Sequence, residues 1–201
     1  MFRRLFPLSL QKKNTTMKRH AATLAGNLQE PSATTGGYEA FFTRLLGIAT
    51  AEQPGDELGR KIQAYVLNWL AEHPLTPFGN YSDTAYRRTY LGRCPETGWE
   101  AIVMSWKAGN RTSIHAHPQF AGYHFADGRF RLEIFEPAGN GAVRLKETLD
   151  VEAPCAFFSI GAPGRFDNHI HRITCISGTG HSLHVYSDDA LRGEVYETVC
   201  G

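Results

Sequence analysis

The sequence predicts a mainly β protein, a small antiparallel β-barrel with helices packed on one end. Three observations lead there. Apolar residues recur at helical spacing as far as Leu70 and switch to a period of two from Tyr86 onward. Twelve Phe and eight Tyr suit pleated, half-buried surfaces, and twenty Gly with ten Pro supply the tight turns that many short strands need. At 201 residues, 42% hydrophobic and 20% charged, the chain can bury a sizeable core, so 37–201 reads as one domain.

The first 36 residues read as a disordered basic leader, because Arg3, Arg4, Lys12, Lys13, Lys18 and Arg19 meet no acid before Glu30. The apolar stretch from Leu5 to Leu10 contains Pro7 and is too short for a secretory core. A tail, an organelle transit peptide or a misassigned start ahead of Met17 all fit this composition. Helices follow over 37–75. Tyr38, Phe41, Phe42, Leu45 and Leu46 fall on one helical face. After Pro54-Gly55 a second helix is capped by Asp56 and striped by Leu58, Ile62, Val66, Trp69 and Leu70, until Pro74 and Pro77 forbid continuation. Both stripes are core surface to be laid against a sheet.

The barrel occupies 84–201. Short strands are expected over Trp99 to Lys107, Arg129 to Glu136, Val143 to Leu149, Ala156 to Ile160, Ile170 to Ile176 and Ser182 to Ser187. Asp127-Gly128 interrupts two apolar runs as a hairpin turn does, and Gly139-Asn140-Gly141 supplies another.

Composition also excludes. A net charge of +1 offers no field for nucleic acid, and no apolar run approaches the roughly 20 residues of a membrane span. Cys94, Cys155, Cys175 and Cys200 form no C-x-x-C pair, and a domain of this size needs no disulfide staples. A reducing, cytoplasmic setting follows, with import through the basic leader as the alternative.

Chemistry concentrates in the histidines. His115 and His117, at i and i+2 on a strand, point to the same face and can converge on one cation while a later strand supplies a third imidazole. His169 and His171 share parity, so spacing leaves either as that third ligand. His124 has the opposite parity to the first pair and should face away. His181 is placed at a turn, and His20 and His73 lie outside the barrel. Ser182, His184 and Tyr186 alternate along one strand and share a face, as a polar barrel lining would. The neighbouring Arg87 and Arg88 read, on their own, as a solvated strand edge. A zinc enzyme with three histidine ligands is compatible with the same spacing.

Gly109, five residues and His115-x-His117 resemble the first cupin motif. With Trp106, His171-Arg172-Ile173 and Ser182-Leu183-His184-Val185-Tyr186, the run from Tyr86 to Asp188 resembles the thiol dioxygenases of the cysteine dioxygenase type. The resemblance implies a jelly-roll cupin barrel holding a mononuclear non-haem Fe(II) on His115, His117 and His171. It implies a small thiol and O2 as partners: L-cysteine converted to cysteine sulfinic acid, or alternatively 3-mercaptopropionate or another mercapto acid. Arg88, two residues after Tyr86, would hold the substrate carboxylate, and Ser182, His184 and Tyr186 would form a relay ending at the substrate. A monomer or weak homo-oligomer is expected, and a non-catalytic cupin binding module is the remote alternative. Two departures stand out. Animal cysteine dioxygenases join the tyrosine to a cysteine whose position falls here on Ala121 or Gly122, and Cys175 stands where an asparagine usually follows the third histidine.

Overall fold

The computed structural model describes residues 28–29 and 38–198, so nearly all of the basic leader, including His20, lies outside the described residues, as does Cys200. In chain order the elements are β1 (Leu28–Gln29), α1 (Tyr38–Ala49), α2 (Asp56–Glu72), β2 (Arg87–Arg93), β3 (Glu100–Lys107), β4 (Ile114–His117), β5 (Phe120–Asp127), β6 (Arg129–Gly139), β7 (Ala142–Glu152), β8 (Cys155–Ile160), β9 (Asn168–Cys175), β10 (Thr179–Tyr186) and β11 (Val195–Thr198). The mainly β class and the two helices ahead of the barrel are as expected.

The helical stripes behave as core. Tyr38, Phe41 and Leu45 of α1 and Leu58, Ile62 and Val66 of α2 are buried with Ala101, Val103, Leu183 and Val185, on the outer face of the sheet. Each fully buried Leu, Ile or Val there contributes about 1.5–3 kcal/mol relative to exposure. The cap differs from expectation. Gly55 is the N-cap and accepts no side-chain bond, while Asp56 is the first helical residue, where its charge still favours the helix N-terminus. The helix closes at His73, whose ring stacks on Trp69, and Pro74 bars another turn.

The strands wind into a jelly roll. First pairs with last throughout: β3 with β10, β4 with β9, β5 with β8 and β6 with β7, all antiparallel. One sheet has the order β1-β2-β3-β10-β5-β8, and the other, β11-β4-β9-β6-β7, is closed by parallel pairing of β11 with β7. Between the sheets lies the inner core, with Ile102, Met104 and Trp106 from β3, Tyr123 and Phe125 from β5, Phe130 and Leu132 from β6, and Ile173 and Cys175 from β9.

The turn at Asn140-Gly141 is a hairpin as expected: both residues have positive φ, and Gly139 pairs with Ala142 across it. Asp127-Gly128 is not. Gly128 takes a positive φ, but β5 pairs with β10 and β8 whereas β6 pairs with β7 and β9, so the chain crosses there from one sheet to the other. The physical reason is that the backbone groups a hairpin would pair are taken by other strands: the Gly128 carbonyl accepts the Ala153 N–H at 3.0 Å and the Arg129 carbonyl accepts the Ile176 N–H at 2.9 Å.

Candidate metal centre

Strands β4 and β9 bring three imidazoles together. His115 lies in register with His171, and the ligand atoms of His115, His117 and His171 all fall within 4.8 Å of one another. The opposite face of β4, Ile114 and Ala116, packs with Phe135, Val143 and Tyr196, so the alternation of the strand fixes the histidines inward. The Nδ1 of His115 meets the Ser113 carbonyl at 2.9 Å, and the Nδ1 of His171 meets the His169 carbonyl at 3.0 Å. Each carbonyl accepts the Nδ1 proton and leaves the Nε2 lone pair for the centre. Both ring nitrogens of His117 and the Nε2 of His171 are buried without a hydrogen-bond partner. Burial holds His115 down to about 4 and His117 and His171 well below the usual histidine range. Three neutral imidazoles with orphaned nitrogens converging on one point fit a divalent cation.

The structure distinguishes His169 from His171 by a backbone kink rather than by parity. His169 takes φ 51°, a left-handed conformation unusual for a side chain, which turns its carbonyl onto His171. Its ring lies 3.1 Å from the Tyr123 hydroxyl and outside the triad.

A hydrogen-bonded chain runs along β10 to the same place. Trp106 Nε1 donates to Ser182 Oγ at 2.9 Å, Ser182 Oγ meets His184 Nε2 at 2.8 Å, and His184 Nδ1 meets the Tyr186 hydroxyl at 2.8 Å. Direction follows from donor inventory. The indole can only donate, and His184 is the one acceptor beside the Ser182 hydroxyl among the described residues, so the Ser182 proton goes to His184, and neutral His184 gives its Nδ1 proton to Tyr186 oxygen. That leaves the Tyr186 hydroxyl proton pointing onward. Its ring stacks on His117, with centroids 4.8 Å apart and planes 7° apart. Spacing alone gives no reason to single out Trp106; its sharing the inward face with Ile102 and Met104, and the need of a buried indole N–H for an acceptor, are the signals that would.

Tyr86, Arg88, Met104, His115, His117, Tyr186 and Ala190 line one pocket. Arg88 is 4% exposed, and its Nε and Nη2 have no hydrogen-bond partner. A solvated strand edge is therefore the wrong description of this arginine. Tyr86 stacks on Trp106 and closes the pocket beside it. The turn carrying Ala190 is pressed against β4: a Cβ on Gly193 would come 1.9 Å from the Ala116 carbonyl oxygen.

The remaining residues fall as follows. Ala121, not Gly122, pairs across from Tyr186. Cys175 is buried in the inner core, and its thiol contacts Ser177. His124 faces the opposite side of β5 from Tyr123, with Nδ1 3.0 Å from the Leu183 carbonyl. His181 is not at a turn. It lies within β10, 2% exposed, held between Asp127 Oδ2 at 2.8 Å and the Tyr81 hydroxyl at 3.1 Å.

Acid is expected to unfold the metal-free protein. His115, His117, His124, His171 and His184 are all held neutral by burial. A histidine depressed in the fold contributes stability that is present above its unfolded value and lost as pH falls toward its folded one. For His115 and His124, each lowered from 6.5 to about 4, that loss reaches about 3 kcal/mol per group by pH 4. Glu100, which burial pushes up to about 7, opposes this as a single group. Thermal melts at successive pH values should show the midpoint falling steeply below pH 6.5; a flat profile down to pH 4 would refute the neutral cluster.

No protein-family model and no curated protein matches the chain. Among solved structures, the chain is similar to a cupin superfamily protein from Desulfitobacterium hafniense, at 14% identity over 58% of this chain and 89% of that one, with a TM-score of 0.45. A double-stranded β-helix protein from Klebsiella pneumoniae matches at 16% identity over 58% and 89%, with a TM-score of 0.41. An acetylacetone dioxygenase from Acinetobacter johnsonii matches at 16% identity over 52% and 61%, with a TM-score of 0.37. Each is a likeness of fold alone.

Proposed function

We propose that this protein is an Fe(II)-dependent thiol dioxygenase that adds both atoms of O2 to the sulfur of a small thiol carboxylic acid, R–SH + O2 giving R–SO2H. L-cysteine is the first candidate substrate and 3-mercaptopropionate the second. The observation that carries this reading is Arg88: a buried guanidinium with two unpartnered nitrogens, in the pocket that His115, His117 and Tyr186 also line. A buried cation without an anion is costly, and a carboxylate matches its fork with two parallel charge-assisted bonds. The acid end of a substrate thus docks at Arg88 and its other end reaches the three histidines.

His115, His117 and His171 would hold the iron. Three neutral ligands leave its charge uncompensated, which favours an anionic thiolate over a neutral group. When bound, ferrous iron supplies the redox chemistry that joins dioxygen to sulfur. Tyr186, its oxygen held by His184, donates a proton-bearing hydroxyl at a fixed position toward the reacting atoms. Free Cys94, Cys155 and Cys175 support work in a reducing cytoplasm.

Anaerobic reconstitution with Fe(II), then oxygen uptake against cysteine, 3-mercaptopropionate and cysteamine, tests the proposal. One O2 consumed per sulfinate formed is expected with a thiol acid; equal activity with Zn(II), or no uptake with any thiol, would overturn it. In the same assay Tyr186→Phe should lower kcat about tenfold or more and leave KM nearly unchanged, because only a positioned hydroxyl is deleted. Unaltered turnover, with sulfinate still matching oxygen consumed, would leave Tyr186 as packing.

A further inference from the structure

Glu100 stands unexplained. It lies on the inward face of β3, in register with Arg93 of β2 and Tyr186 of β10, and its side chain is fully buried. Oε1 accepts the Ala190 backbone N–H at 2.9 Å, so the acid is tied to a residue of the pocket wall. Oε2 has no hydrogen-bond partner, and its nearest cation, Arg93 Nε, is 3.8 Å away. The charged and titratable groups around it are Arg88, Tyr90 and Arg93 from β2, Tyr186 from β10, and Asp189 from the turn. Arg93 is drawn off by Asp189, at 3.0 Å. Arg88 and Glu100 thus feel each other's charge without touching: among the described residues no ion pair joins them.

We propose that Glu100 is a proton acceptor coupled to the carboxylate subsite: it takes up a proton when a carboxylate docks on Arg88 and releases it when the site empties. This rests on the reading of Arg88 given above. In the empty site the buried cation favours ionised Glu100. A docked carboxylate consumes that favourable field and adds a second negative charge in a poorly solvated space, where the cheapest remedy is to neutralise the acid already buried. Burial has brought Glu100 to about 7, close enough to neutral pH for a modest change of field to move its proton. Glu100 does not touch the substrate. It acts through Arg88, and makes affinity for acids fall relative to that for other thiols as pH rises.

The test is anaerobic calorimetric titration of the iron-loaded protein at pH 7.5 in two buffers of different ionisation enthalpy, which counts protons exchanged on binding. 3-Mercaptopropionate and cysteamine are the two probes. Thiol ionisation is common to wild type and Glu100→Gln, and glutamine retains the oxygen that accepts from Ala190. With 3-mercaptopropionate the wild type should take up at least about half a proton more than Glu100→Gln does, and with cysteamine the two proteins should agree. In steady state, the KM for the acid in the wild type should rise relative to that in Glu100→Gln by up to about tenfold per pH unit above 7, thiol ionisation being common to both. Equal proton counts for the two proteins, or the same excess with cysteamine, would overturn the proposal. Should Glu100→Gln not fold, the wild type alone decides: parallel pH profiles for the acid and cysteamine refute it. Proton-coupled binding without oxygen consumption would instead sink the dioxygenase reading and leave this one standing. Binding of the acid that survives Arg88→Ala removes the subsite, and Glu100 with it.

Discussion

Replacing His115, His117 or His171 by Ala is expected to reduce iron from about one per chain to near zero and to abolish thiol-dependent oxygen uptake. Each contributes one of three convergent ligand atoms, and two imidazoles on a strand pair cannot complete a facial set. Metal content after dialysis, with circular dichroism to establish folding, separates lost ligation from lost structure. His169→Ala should retain its iron, because alanine keeps the carbonyl that holds the Nδ1 of His171, and the ring of His169, which also meets that Nδ1, lies outside the triad. Loss of iron from the His169 variant together with retention in the His171 variant would reverse the assignment.

Arg88→Ala should raise the KM for a thiol acid roughly 10- to 150-fold, the equivalent of about 1.5–3 kcal/mol for a charged bidentate contact. Cysteamine, without a carboxylate, should be little affected. Steady-state oxygen uptake with the two substrates compares them directly. Equal losses on both would place Arg88 in structural support rather than recognition, since a collapsed pocket treats all thiols alike.

What the sequence made legible is what periodicity and rigid turn chemistry encode. The stripes of α1 and α2, the Asn140-Gly141 hairpin and the inward face shared by Ser182, His184 and Tyr186 are local properties. Strand β5 resists such reading because α2 covers its outer face and the second sheet its inner one, so its first six residues are buried without alternation. The same burial makes Asp127-Gly128 look like a hairpin, for a turn between sheets and a turn within one use the same residues. Gly55 displaced Asp56 from the cap by one position, a scale that pattern does not resolve. In the site, parity could not separate His169 from His171, because a positive φ lies between the pattern and the geometry. Arg88, taken alone, looked like surface; only the tertiary fold buries it. Glu100 and Trp106 carried no spacing signal, since their partners Ala190 and Ser182 are 90 and 76 positions away in the chain.

The contact between Gly193 and the Ala116 carbonyl bears on how this pocket can diversify. Ala190 and Met104 present side chains to the substrate space, so a library aimed at bulkier or longer thiols can vary both. Position 193 is closed to such exploration: any side chain there meets a backbone oxygen, which cannot rotate aside, so the turn would have to lift off β4 and take Ala190 with it. Changes of specificity in descendants or designs of this protein should therefore accumulate at 104 and 190 while 193 remains glycine, and a substitution at 193 should be recovered only with a compensating shortening or lengthening of the turn.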